Sequence, residues 1–203
     1  MHKYEIIEAG KPLEKAEKAI ILLHGRGASA HDIIELASHF IDDSFYIAAP
    51  QATNSTWYPY SFLAPESQNE PWLTSAVNIV KNLLENIKNH LSSSKIYLMG
   101  FSQGACLTLE AAARFAQPFG GIAAFTGGLI GENVSVANYS GDFKNTPVFI
   151  GVGDKDMHVP LKRVEESKLI LEKLNANVTL NVYPGRPHTI LQDEIETVKK
   201  LMF

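Results

Sequence analysis

An α/β fold, with a mostly parallel central sheet and helices on both faces, is the class this sequence predicts. Strand-like and helix-like segments alternate along nearly the whole chain. Several strand-like segments are short and apolar throughout, as strands covered on both faces are. No repeat, low-complexity tract or linker breaks the pattern, so the 203 residues read as one domain over 1–203. A hydrophobic content of 45% is enough for a sizeable core.

In chain order, strands are expected at residues 4–8, 19–23, 45–49, 95–99, 121–125, 147–152 and 178–183. Ser29, followed by Asp32, reads as an N-cap before Ile33-Ile34-Glu35-Leu36. Pro71 suits a first helical position, and Trp72, Leu73, Ala76, Val77, Val80, Leu84, Ile87 and Leu91 follow with a helical period. Pro160 opens a helix carrying Leu161, Val164 and Leu171. Ile190, Leu191, Ile195, Val198 and Leu201 make a terminal one. Residues 51–70 break the alternation. They are rich in turn-formers but also carry Trp57, Tyr58, Tyr60 and Phe62, which argues for a packed loop over the active face rather than disorder. An Ω-loop over the sheet edge is the alternative.

Composition excludes several functions. Eighteen basic and 22 acidic residues leave a formal charge of −4, with no basic block, against nucleic-acid binding. Cys106 is the only cysteine, so no intramolecular disulfide or thiolate cluster can form, and a buried thiol is its plain reading. The N-terminus has no apolar signal region and no stretch reaches membrane-spanning length, so a cytoplasmic protein is expected. No metal-ligand spacing is present, and Gly25-Arg26-Gly27 lacks the third glycine of a dinucleotide loop, so neither metal nor cofactor is expected.

The chemistry centres on Gly100-Phe101-Ser102-Gln103-Gly104, between an expected strand and an expected buried helix. A serine on such a turn, with glycines two residues away on each side, is a nucleophile elbow. A serine hydroxyl needs a base, and the base needs an acid to hold its tautomer. His188, in a turn, is the one histidine that lies after both the acid and the last expected strand. Two carboxylates, Asp154 and Asp156, leave the preceding strand end together, and one of them can serve as an Asx turn-former. The run His24-Gly25-Arg26-Gly27 ends an earlier strand. Its Arg26 N–H, with the Gln103 N–H, is expected to form the oxyanion hole; both donors are backbone, so the side chains are free to vary. His24 reads as a hydrogen-bonder within that loop, His158 as a residue beside the site, His31 as a helix-start residue, and His2, His39 and His90 as solvated.

Taken together, His24-Gly25-x-Gly27, the elbow, Gly153-x-x-Asp156-x-x-Val159-Pro160 and Tyr183-x-Gly185-x-x-His188 resemble the phospholipase/carboxylesterase family, the α/β-hydrolase group that includes the acyl-protein thioesterases. The resemblance runs from residue 19 to the final helix. It implies an α/β-hydrolase fold with a minimal lid, the acid at Asp156 rather than Asp154, and hydrolysis of a small-molecule ester or thioester without a cofactor. It also allows a homodimer. Two features set the chain apart. Arg26 stands where the thioesterases often carry an apolar residue, and Trp57-Tyr58-Pro59-Tyr60 looks like the loop of a bacterial subgroup. Trp57, Tyr58 and Arg186 are accordingly expected to contact substrate. Arg26 and Arg186 at the mouth would favour an anionic group, or else simply face solvent. A serine carboxylesterase, a thioesterase and a non-catalytic ligand-binding protein on the same fold are the functional readings.

Overall fold

The computed structural model describes residues 1–203. All seven strands join one sheet: β1 (Ile6–Gly10), β2 (Lys18–Leu23), β3 (Phe45–Pro50), β4 (Ile96–Phe101), β5 (Gly121–Phe125), β6 (Pro147–Gly153) and β7 (Asn177–Tyr183). Their spatial order is β1-β3-β2-β4-β5-β6-β7. β1 pairs antiparallel with β3, and every other pairing is parallel. The central strands are buried on both faces, which is why they read as continuous apolar runs. The edge strands β1 and β7 are half-exposed and more polar.

The pleat divides the core in two. Ile21 and Leu23 of β2 face the larger apolar cluster, and Ile20 and Leu22 face the smaller one. The larger layer is completed by α3 (Trp72–Lys88), α4 (Gln103–Arg114) and α5 (Leu161–Lys173); the smaller by α1 (Ala30–Ala37) and α6 (Gln192–Met202). In α3, Leu73, Ala76, Val77, Val80, Leu84 and Ile87 are buried at the i, i+3, i+4 spacing that makes one stripe of a helix. Truncating Leu84 to alanine would cost about 2–5 kcal/mol in transfer and cavity terms. α1 is capped as its sequence predicts: the Asp32 N–H donates to Ser29 Oγ, and the Ser29 N–H donates to Asp32 Oδ2 at 2.7 Å.

Differences from the sequence reading lie at element ends. Pro71 is the N-cap of α3 rather than its first helical residue, and Leu91 lies beyond the Lys88 terminus. Ile190 and Leu191 precede α6, whose first turn is capped by the Glu194 carboxylate accepting the Leu191 N–H at 2.8 Å. Residues 51–70 contain a 3₁₀ turn, Thr53–Ser55, and a short helix α2, Glu66–Asn69, neither of which the turn-former composition revealed.

Candidate active site

β4 ends at Phe101 and α4 begins at Gln103, so Ser102 alone makes the turn, at φ 55° and ψ −119°. A non-glycine residue there is strained by roughly 1–3 kcal/mol. The surroundings hold it: the Ser102 N–H donates to Phe125 O at 3.0 Å, and Ser102 O accepts from the Cys106 N–H at 3.0 Å. The flanking glycines are steric necessities. A Cβ on Gly104 would collide with the Leu23 carbonyl, and one on Gly100 with the Gly104 carbonyl. The helix can therefore start directly against β2 and β4, and its first N–H groups, which have no intrahelical acceptors, open onto the serine.

His188 sits in the loop between β7 and α6, and Asp156 in the loop after β6. His188 Nε2 lies 2.8 Å from Ser102 Oγ, and His188 Nδ1 lies 2.7 Å from Asp156 Oδ2. The other carboxylate oxygen of Asp156 accepts the N–H groups of His158 at 2.8 Å and Val159 at 3.0 Å. Burial alone would raise the Asp156 carboxyl. The His188 N–H and the two amides outweigh it, and the net shift is downward. An ionised carboxylate only accepts, so Nδ1 carries the ring proton. Nε2 then presents its lone pair to the serine hydroxyl. Asp154 instead turns away and accepts the Gly185 N–H at 2.7 Å.

The loop after β2 closes the other side of the serine. A Cβ on Gly25 would lie 3.5 Å from Ser102 Cβ, so His24-Gly25-Arg26 runs alongside the nucleophile. The Arg26 N–H makes no backbone hydrogen bond. His24 is fully buried and shapes this loop. Its Nδ1 donates to Gly25 O at 2.8 Å, its Nε2 accepts the Ala52 N–H at 3.1 Å, and burial pushes its pKa down.

The side chains at 26 and 103, which the sequence reading left free, are both engaged in hydrogen bonds. The Arg26 guanidinium donates to three successive carbonyls, Tyr58, Pro59 and Tyr60, at 2.8–3.0 Å. The Gln103 amide donates to Tyr58 O at 2.8 Å and accepts the Trp57 N–H at 2.9 Å. Both residues thus bind the aromatic loop from beneath. Residue identity gives no hint of this, since the partners are backbone atoms some 32 to 46 positions away.

A cavity of about 410 Å³ opens over Ser102 and His188, walled by Tyr58, Tyr60, Phe62, Cys106 and Val159, with Arg26 and His158 at its edge. Tyr58 lines this cavity, and Cys106 is buried as expected, its thiol pushed up to about 12 by burial. Trp57 and Arg186, also expected to contact substrate, do not line it. Trp57 is fully buried behind the loop: its Nε1–H donates to His24 O at 2.9 Å, and its ring packs on His24. Arg186 points inward and pairs with Glu194, Nη1 to Oε1 at 2.5 Å, away from the cavity. His2, expected in solvent, is half-buried; its ring bonds the Trp57 carbonyl and the Thr53 N–H and packs against Trp57 and Trp72. Tyr60, Phe62, His158 and Val159 are lining residues that sequence reasoning did not assign to substrate.

A seven-stranded, mostly parallel sheet with a serine on the β4–α4 elbow defines an α/β hydrolase. The model of the phospholipase/carboxylesterase family matches residues 2–202, and the chain belongs to that family. It is an enzyme, a hydrolase of esters or thioesters. It is similar to a solved phospholipase/carboxylesterase from Dyadobacter fermentans DSM 18053, at 53% identity and a TM-score of 0.97, covering 99% of this chain and 97% of that one. A probable SOBER1-like carboxylesterase of Arabidopsis thaliana is 26% identical over 89% of this chain and 76% of its own. Acyl-protein thioesterase 1 of Saccharomyces cerevisiae is 30% identical over 69% of this chain and 61% of its own. No helix is long and apolar enough to cross a membrane.

Proposed function

We propose that the chain is a carboxylesterase that works through Ser102, His188 and Asp156 and an acyl-enzyme on Ser102. The hydrogen-bonded chain Asp156–His188–Ser102, at 2.7 and 2.8 Å, carries this reading. His188 Nε2 takes the hydroxyl proton as Ser102 Oγ attacks the carbonyl carbon. Asp156 keeps the proton on Nδ1 and stabilises the imidazolium. The Arg26 and Gln103 N–H groups receive the oxyanion, and the helix start at Gln103 adds its dipole. His188 then protonates the leaving alcohol. Water, deprotonated by the same nitrogen, attacks the acyl-enzyme and releases the acid and Ser102. The substrate is a small molecule, and no step needs a metal or cofactor.

The likeness to acyl-protein thioesterase 1 supports a second reading, in which the same site cleaves thioesters. Rates on an oxoester and a thioester with one acyl group, measured for wild type and Ser102→Ala, test both. Loss of roughly 10⁶ in turnover with Ser102→Ala on either substrate is expected. Undiminished hydrolysis in that variant rejects the assignment. The ratio of the two wild-type rates decides between esterase and thioesterase.

A further inference from the structure

His188 stands in the middle of a loop with little backbone support. Residues 187–190 take part in no backbone–backbone hydrogen bond. What fixes this loop lies on either side of it. Arg186, on its incoming arm, and Glu194, in the first turn of α6, both have fully buried side chains, and their Nη1 and Oε1 atoms are 2.5 Å apart. The contact is an ion pair between two buried groups. Its other partners make it a seated assembly. Arg186 Nη2 donates to Thr126 Oγ1 at the end of β5, where Thr126 has the strained φ of 63°. The guanidinium also lies 5.4 Å from the centre of the Tyr183 ring. Glu194 Oε2 accepts the Leu191 N–H.

The sheet makes room for this pair. A Cβ on Gly151 would collide with Glu194 Oε1, and a Cβ on Gly153 would lie 2.6 Å from Arg186 O. Both glycines belong to β6, the strand whose C-terminal end leads to Asp156. The Gly185 N–H, on Asp154 Oδ1, ties the same loop to the same strand end. The two arms of the His188 loop are therefore joined to each other and to the element that carries Asp156.

We infer that Arg186 and Glu194 are positioning residues: a buried ionic staple across the His188 loop that holds the imidazole on the line between Asp156 and Ser102. Neither residue lines the cavity, so neither contacts substrate. The inference rests on the catalytic reading of Ser102 and His188 above. Its signature follows from geometry. Displacing a base by about 1 Å can cost on the order of 100-fold in rate, while the walls that bind the acyl group stay where they are.

The test compares wild type, Ser102→Ala, Arg186→Met, Arg186→Lys and the double variant Arg186→Met/Glu194→Gln on one p-nitrophenyl ester, with Tm measured for each. Removing both charges avoids a lone buried ion, so the double variant secures a folded protein where Arg186→Met alone does not. The expected result is a fall in kcat of about 10- to 100-fold in the double variant with KM within about twofold of wild type, and partial recovery of kcat in Arg186→Lys. Wild-type kcat in a folded double variant overturns the inference, as does a change confined to KM. Activity surviving in Ser102→Ala overturns the catalytic reading instead, which separates the two failures.

Discussion

On the proposed mechanism, the reactivity of Ser102 depends on a strained elbow that its neighbours hold in place. The elbow glycines are the least replaceable. A methyl on Gly104 meets the Leu23 carbonyl, a backbone atom that cannot swing aside, so Gly104→Ala is expected to lower stability by about 1–3 kcal/mol or more and to abolish turnover, read by Tm and ester hydrolysis. Asp156→Asn keeps the shape but reverses the hydrogen-bond logic of the His188 ring, and kcat should drop roughly 10⁴-fold. The same carboxylate has a folded-state pKa below its ordinary value. Its ionised form thus favours the folded state above about pH 4, and this contribution is lost as pH falls through the lowered pKa. The Tm gap between wild type and Asp156→Asn should therefore narrow in acid. At this scale the sequence was legible where chain order and local turns decide. Ser102 and His188 lie in one hydrogen-bonded chain with Asp156; chain order left Asp154 and Asp156 open, and the family resemblance pointed to Asp156. The sequence was opaque where direction decides: nothing local tells whether an arginine two residues before a histidine faces water or a buried glutamate, and Arg186 takes the second course.

At the scale of elements, the aromatic loop is held by the residues whose N–H groups flank the nucleophile. Arg26 and Gln103 grip Tyr58 from two sides, and Arg26 also holds Pro59 and Tyr60. Hydrogen bonds from a charged donor are worth about 1.5–3 kcal/mol each, less where exposed. Arg26→Met keeps the backbone N–H but frees three carbonyls. Amide exchange in residues 57–62 should then quicken by at least about tenfold, the equivalent of about 1.4 kcal/mol, in a mass-resolved exchange experiment. Unchanged exchange would mean that Gln103 and the packing of Trp57 secure the loop without Arg26. The aromatics made packing of this stretch readable. Its short helix and 3₁₀ turn were not, because elements of three or four residues carry too little periodicity to register. Strand positions fared better: burial on both faces writes itself as an unbroken apolar run.

The whole molecule presents its cavity without a covering domain, between the 51–70 loop and the C-terminal ends of the strands. About 410 Å³ is near the lower end for small-molecule pockets. Each methylene that enters it contributes about 0.8 kcal/mol, so kcat/KM should climb about fourfold per carbon through short acyl chains and level off once the cavity is filled. A graded series of p-nitrophenyl esters reads this directly; a rise continuing through long chains would require a larger groove than the one seen.

Labelling with a fluorophosphonate tests the central claim most directly, because that reagent bonds only to a serine made nucleophilic by its neighbours. The account predicts a single adduct by intact mass, mapped by peptide analysis to Ser102, and its loss in His188→Ala. An unlabelled wild type, or labelling that persists undiminished when His188 is removed, would contradict it.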